Sequence, residues 1–457
     1  MKLWQKNFVL NKEIEFFTVG KDRYLDLFLA THDVIGTLAH IIMLETIGVL
    51  NINELNSLIK ELHIIYDTII SGKFQIEYNV EDIHSQIELM LTKRLGKIGK
   101  KIHSGRSRND QVLLDIKLFI RKKIQELVFL IKDLFNVLIH LSNRYKHILI
   151  PGYTHYQIAM PSSFGLWFAS YAESLIDDIF FLKSAYHISN KNPLGSAAGF
   201  GSSFTLNRKL TTEILGFEDL NYNVVYAQMC RGKTERIVSQ ALSSIANTIS
   251  KISQDICLYM SKNFDFFSLP ENLTTGSSIM PHKKNPDVFE LLRSRCNKII
   301  SLPNQISIIT TNLPSGYHRD LQTIKEIFLP VFDEIKKIIL IFTYLLKKLI
   351  INKNIIYENK YKYLFSVEVV NSLVKDGISF REAYKKVGLD IQKGYFTPIT
   401  DIKHSHEGSI GNLCNKKLKY IMIKLITNFQ FEVVNNAINK LTKKRPRREL
   451  NPQPSNP

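Results

Sequence analysis

The sequence predicts an all-α protein: three helical regions, with a bundle of long central helices as the body. Three observations predict it. Glycine (21) and proline (14) are scarce for 457 residues, while hydrophobic residues reach 45%, a balance unlike that of disordered or turn-dense β chains. Between Gly105 and Pro151 no glycine or proline occurs at all. Within that stretch Ile116, Ile120, Ile124, Leu127, Ile131, Leu134, Leu138 and Leu141 step by three or four residues, the spacing of one helical face. A chain of this length exceeds one compact core, so several regions are expected.

Residues 1–108 read as shorter helices and turns and form an N-terminal region. The central region, 109–355, opens with the helix from Asn109 to about Tyr145, roughly 50 Å long at the α-helical rise. Leu113, Phe119, Val128, Phe135 and Ile139 lie off its main stripe, so one partner helix cannot cover it. Further long helical patterns occur at about 162–188, 224–263 and 318–350, the last with Pro330 as a kink. A shorter helix starts at Asn285, where Asn285 suits the N-cap, Pro286 the first turn and Asp287 the positive end of the dipole. The third region, 356–442, contains "SFREAYKKVG", with Ser379 and Glu382 as a capping box and Gly388 as a stop. The tail 443–457, which opens with "KKRPRRE", reads as disordered.

Lys and Arg number 60 against 42 Asp and Glu, a net +18. The excess is spread singly along helical patterns, so it reads as a basic solvated surface and no specific nucleic-acid partner is expected. The four cysteines have no zinc-like or CxxC spacing, and a reduced, cytoplasmic setting is expected. The most apolar run, "IILIFTYLL" at 338–346, falls far short of the about 20 residues of a membrane span. His404 and His406 lack metal-site spacing, so neither metal nor cofactor is expected.

Four polar segments interrupt the helices. "HSGRSRNDQ" (103–111) brings Arg106 and Arg108 to a helix start, a suitable anion site. "PGYTHYQIAMPSS" (151–163) leaves Thr154 and His155 on a connection. "TTGSSIMPHKKNPDVFE" (274–290) is a small, basic loop, and "LPSGYHRDLQTIKE" (313–326) carries Tyr317, Gln322 and Lys325. If these four gathered in space, their His, Ser, Lys, Arg, Asn, Tyr and Gln would suit proton transfer beside a carboxylate.

"GSSIMPHKKNP" resembles the signature loop of the fumarase/aspartase superfamily, G-S-S-x-M-P-x-K-x-N-P, at every fixed position. The segments 103–112, 151–161 and 313–322 are similar to those of the argininosuccinate lyase family, and the likeness runs from residue 2 to about 440. The resemblance implies a homotetramer with a twenty-helix core, which accounts for the excess apolar surface of the central helix, and active sites each built from three subunits. It implies reversible anti elimination of argininosuccinate to arginine and fumarate, in arginine biosynthesis, with no cofactor. Ser277 and His155 then share the two proton transfers: Ser277 as the base at Cβ and His155 as the acid for the leaving guanidino nitrogen, or the reverse. Lys283 and Asn285 stabilise the developing charge, and Glu290 orients His155. Thr18, Ser107, Arg108, Asn109, Thr154, Tyr317, Gln322 and Lys325 are the implied substrate contacts. The chain departs from the family at "LWQKNF" (usually L-W-G-G-R-F) and at His282 (usually glutamine). An adenylosuccinate lyase-like enzyme and a non-catalytic structural relative are the alternatives.

Overall fold

The computed structural model describes residues 11–443; the "LWQKNF" segment and the basic tail beyond Lys443 lie outside them. Helices dominate, and strands form three two-stranded sheets among the described residues. After α1 (Lys12–Val19) come α2 (Ala30–Thr46), α3 (Ile52–Ile70) and α4 (Ile83–Leu95). The central helix α5 spans Arg108–Arg144, 37 residues, and ends before a hairpin of β1 (Leu149–Thr154) and β2 (Gln157–Ser163). Next come α6 (Phe164–Ser189), α7 (Lys233–Tyr259), α8 (Asp287–Ile300), α9 (Leu321–Phe328) and α10 (Val331–Leu346). The chain closes with α11 (Ser366–Lys375), α12 (Phe380–Gln392), α13 (Asn415–Thr427) and α14 (Phe431–Thr442).

Helix α5 packs against α2, α6, α10 and α13, and its off-stripe residues Leu113, Phe119, Val128, Phe135 and Ile139 are all buried within the one chain. The apolar excess noted in the sequence therefore needs no second subunit, and its explanation by a tetramer is withdrawn. The largest apolar core follows α5, α6, α7 and α10. A second gathers α2, α3 and α4 onto Leu114 and Leu118, so α5 joins both. Each fully buried Leu, Ile or Phe contributes about 1.5–3 kcal/mol.

Where α6 crosses the end of α5, Gly165 allows the approach: a Cβ there would stand 2.5 Å from Lys146 Cα and 2.7 Å from the Ser142 carbonyl oxygen. The Ser142 hydroxyl donates to the Gly165 carbonyl at 2.7 Å.

Several expected boundaries shift for local reasons. The pattern at 224–263 breaks at Gly232, whose φ of 78° no helix interior holds. Pro330 separates α9 from α10 rather than bending one helix. Asn285 is not the N-cap of α8: that position falls to Pro286, with no side-chain cap, while Asn285 pairs with Thr275 across the loop. Ser379 does cap α12, but the helix runs through Gly388 to Gln392, because Gly388 remains helical. The connection at 151–163 is a strand hairpin, which the helical reading missed.

Candidate active site

The start of α5 is fixed by a capping box. The Ser107 hydroxyl accepts from Asn109 N–H at 3.2 Å, and Asp110 Oδ1 accepts from Ser107 N–H at 2.8 Å. Asp110 Oδ2 also accepts from the N–H groups of Gly195 (3.0 Å) and Ala197 (2.9 Å). Burial outweighs these bonds and pushes the Asp110 carboxyl up to about 6. Ser107 thus serves as cap, while Asn109 faces a cavity of about 250 Å³.

Arg108 walls that cavity with its guanidinium already held, at 2.9 Å from Glu81, 3.0 Å from Asp82 and 2.7 Å from the Ser85 hydroxyl. Arg106 turns inward, buried, and donates to Thr37 at 3.0 Å. The two-arginine anion site expected from the sequence does not form.

Opposite stands α9. Lys325 Nζ lies 2.7 Å from Asp22 and 2.8 Å from Asp26. Burial lowers the Lys325 ammonium, yet the Asp26 and Asp22 carboxylates outweigh it and raise the group above its ordinary value. Asp22 is pushed up to about 6, by burial first and by Asp26, against the pull of Lys325. Gln322 donates to the carbonyls of Thr18 (3.0 Å) and Val19 (3.3 Å), and Arg319 to that of Thr18 at 2.7 Å. The Thr18 hydroxyl itself bonds back to Ile14 O at 2.8 Å, so its backbone, not its side chain, meets these residues. Tyr317 completes the wall beside Arg231, whose guanidinium carbon lies 5.9 Å from the ring centre.

The floor carries residues that no motif marked. His84 makes a very short hydrogen bond through Nδ1 to Asp33, and Asp115 lies 3.7 Å away. Burial opposes charge on His84, but Asp33 and Asp82 prevail and hold the imidazole above its usual value. Asp115 is driven well up by burial and by Asp33. Asp33, His84 and Asp115 are the one trio among the described residues close enough to share an ion; the Arg106 guanidinium already interacts with Asp33 and Asp115. Asp22, Asp26, Glu81, Asp82, His84 and Arg231 were missed; the only local signal was acids four apart in "DRYLD" and the "EDIH" run.

The remaining candidates stand elsewhere. His155 and Tyr156 form the hairpin tip with φ of 54° and 59°, the doubly left-handed turn that usually needs Asn or Gly. Thr154 and His155 are exposed. In the loop before α8, Ser277 Oγ accepts from the backbone N–H groups of Ile279 (3.3 Å) and Met280 (3.1 Å). Asn285 N–H donates to Thr275 O at 2.8 Å and closes the loop's base. Lys283 and Glu290 are exposed. None of His155, Ser277, Lys283 or Glu290 lines the cavity, and among the described residues no hydrogen bond or ion pair ties these side chains to it. The four segments therefore do not converge within one chain: 103–111 and 313–326 meet, whereas 151–163 and 274–290 remain apart from them.

The chain as a whole is similar to known lyases. A family model described as "Lyase" covers residues 21–301. An argininosuccinate lyase from Parabacteroides distasonis is 60% identical over 440 residues, 96% of this chain and 99% of that protein. One from Thermotoga neapolitana is 35% identical over 386 residues, 84% and 97% of the two chains. In fold, a variant of EDDS lyase with bound fumarate superposes with a TM-score of 0.75 at 19% identity, covering 93% of this chain and 94% of that one. A class II fumarase from Schistosoma mansoni gives 0.70 at 17% identity, covering 94% and 95%. The chain belongs to the argininosuccinate lyase family of the fumarase/aspartase superfamily.

Proposed function

We propose that this carbon–nitrogen lyase splits argininosuccinate reversibly into arginine and fumarate, by anti elimination and without a cofactor. The observation that carries the proposal is the Ser277 oxygen, held by two backbone N–H groups in a loop that also bears Lys283. A serine is a weak base until its alkoxide is stabilised, and these donors and the nearby cation supply that stabilisation. Ser277 takes the proton from Cβ, and the C–H electrons first load the neighbouring carboxylate, where Lys283 and Asn285 face the added charge. As the C=C bond forms, the C–N bond breaks and the guanidino nitrogen leaves with its electron pair, to be protonated by His155. Glu290 orients His155. The anti course places acid and base on opposite faces of the substrate, which suits their location on separate loops.

The cavity of Asn109, Tyr317, Gln322 and Lys325, with Arg108, binds the substrate; Thr18, Ser107 and Thr154 are further contacts in the proposal. Since the proton-transfer loops do not line this cavity in one chain, the active site is completed by other copies, in a homotetramer with a twenty-helix core. The organisation into 1–108, 109–355 and 356–442 and a cytoplasmic location belong to the same reading. Among the described residues no single helix is long and apolar enough to cross a membrane.

The test is fumarate absorbance after mixing the purified protein with argininosuccinate or with adenylosuccinate. Turnover of argininosuccinate alone is expected. Turnover of adenylosuccinate alone, or of neither, overturns the assignment.

A further inference from the structure

A hollow of about 230 Å³ lies between the start of α7 and the segment 310–318 that leads into α9. Its two walls stand close: a Cβ on Gly232 would be 2.6 Å from Thr310 Cγ2. Arg231 is the one residue it shares with the active-site cavity, so the two spaces adjoin but are distinct. Its charged lining is all basic, with Arg231, Lys233 and Arg236 beside His318 and no carboxylate. Arg231, 5% exposed, has Nε at 3.4 Å from Glu235 and Nη2 donating to Leu321 O at 3.3 Å, while its Nη1 has no hydrogen-bond partner. The Nε of Arg236 is likewise buried without one, where such donors are normally bonded.

The charge around this hollow does not balance. Glu235 offsets Arg231 and also accepts from Gly232 N–H at 2.7 Å, so its carboxylate is already engaged. Lys233 and Arg236 have no ion pair among the described residues; Lys233 only rests 5.5 Å from the Tyr226 ring centre. The amino end of α7, a helix of 27 residues, adds its partial positive charge at the same place. Water would satisfy the free donors but would supply no counter-charge. An anion supplies both.

We propose that this hollow is a binding site for a tetrahedral oxyanion of the phosphate class. Three basic side chains around one small space suit an anion that offers oxygens in several directions, whereas a carboxylate offers two. Arg231 and Arg236 donate to it through their guanidinium groups, Lys233 adds its charge, and the Ser315 hydroxyl meets it from the opposite wall. The bound anion ties the start of α7 to the segment that carries Tyr317 and Arg319 into the active-site cavity.

Phosphorus-31 NMR of inorganic phosphate titrated with the full chain at constant ionic strength tests this. No substrate is needed, so the result stands whichever reaction the active site performs. Phosphate is expected to bind in the millimolar range or tighter; sulfate, of like shape and charge, should displace it, and acetate at equal ionic strength should not. The double variant Lys233→Gln, Arg236→Gln should weaken binding about tenfold or more, with the helical circular dichroism unchanged. Arg108→Gln, which removes a cation from the active-site cavity alone, should leave it as it was. No binding in the millimolar range, displacement by acetate as readily as by sulfate, binding retained in the double variant, or binding lost in Arg108→Gln would each overturn the proposal. If the double variant fails to fold, Lys233→Gln alone decides: its side chain is exposed, and its loss should weaken phosphate about fivefold, an unchanged affinity overturning the site.

Discussion

Lys325→Met isolates the ion triad on which the cavity is built. Lys325 is 5% exposed and Asp26 is 1% exposed, with Nζ–Oδ1 distances of 2.7 Å to Asp22 and 2.8 Å to Asp26. Methionine matches the stem but leaves two facing carboxylates without their cation. Removing one member of a buried ion pair costs about 3–5 kcal/mol, against about 0–1 for an exposed pair. The sign with pH comes from the same geometry. Asp22 already sits at about 6 with Lys325 pulling it down, so losing Lys325 raises it further. Its folded value then lies well above the unfolded one, and the folded state binds more protons over that interval. The variant should therefore regain stability as pH falls from neutral through about 6 towards 4. Urea denaturation followed by circular dichroism, at neutral pH and about two units lower, measures both effects, and Asp26→Asn in the same chain should recover part of the loss. A neutral-pH cost below about 1 kcal/mol, the range of a surface pair, or a loss that deepens on acidification would refute the reasoning.

Mixing subunits examines the shared site: Ser277→Ala and His155→Asn chains should each be inactive, while co-refolded mixtures should recover up to about a quarter of native turnover, because each restored site draws its serine and its histidine from different chains. Recovery no greater than the sum of the parents would mean that both groups act from one chain. Gly165→Ala should lower stability by about 1–3 kcal/mol in urea titration, since its methyl meets backbone atoms of Ser142 and Lys146 that cannot yield. Asp110→Asn addresses a carboxyl held at about 6. The native protein's stability should fall as pH rises from about 4 to 6 through this group, and the variant should lose that share of the slope.

The helical body was legible because periodicity records burial directly: the stripe from Ile116 to Leu141 is buried at every position. The hairpin at 149–163 was not legible, since its tip is made by His155 and Tyr156 in left-handed conformations that carry no glycine signal. The family resemblance pointed to Asn109, Tyr317, Gln322 and Lys325, which do share a cavity. It did not find Asp22, Asp26 or His84, because their meeting depends on how α4 and the segment between α1 and α2 pack on α5 and α9, a long-range outcome that local patterns do not encode. The same limit explains Arg106 and Arg108, two residues apart in sequence, whose side chains are taken by different partners, Thr37 for one and Glu81 with Asp82 for the other.

The cavity's charges nearly cancel. Asp22, Asp26, Glu81 and Asp82 face Arg108, Arg231, Arg319 and Lys325, so the +18 of the whole chain is not concentrated where small molecules would enter. A hollow with little net field selects its guest by matching separate ionic groups at contact range, where mobile ions screen least. Capture there should accordingly depend only weakly on ionic strength, even though the outer surface of this protein is strongly cationic.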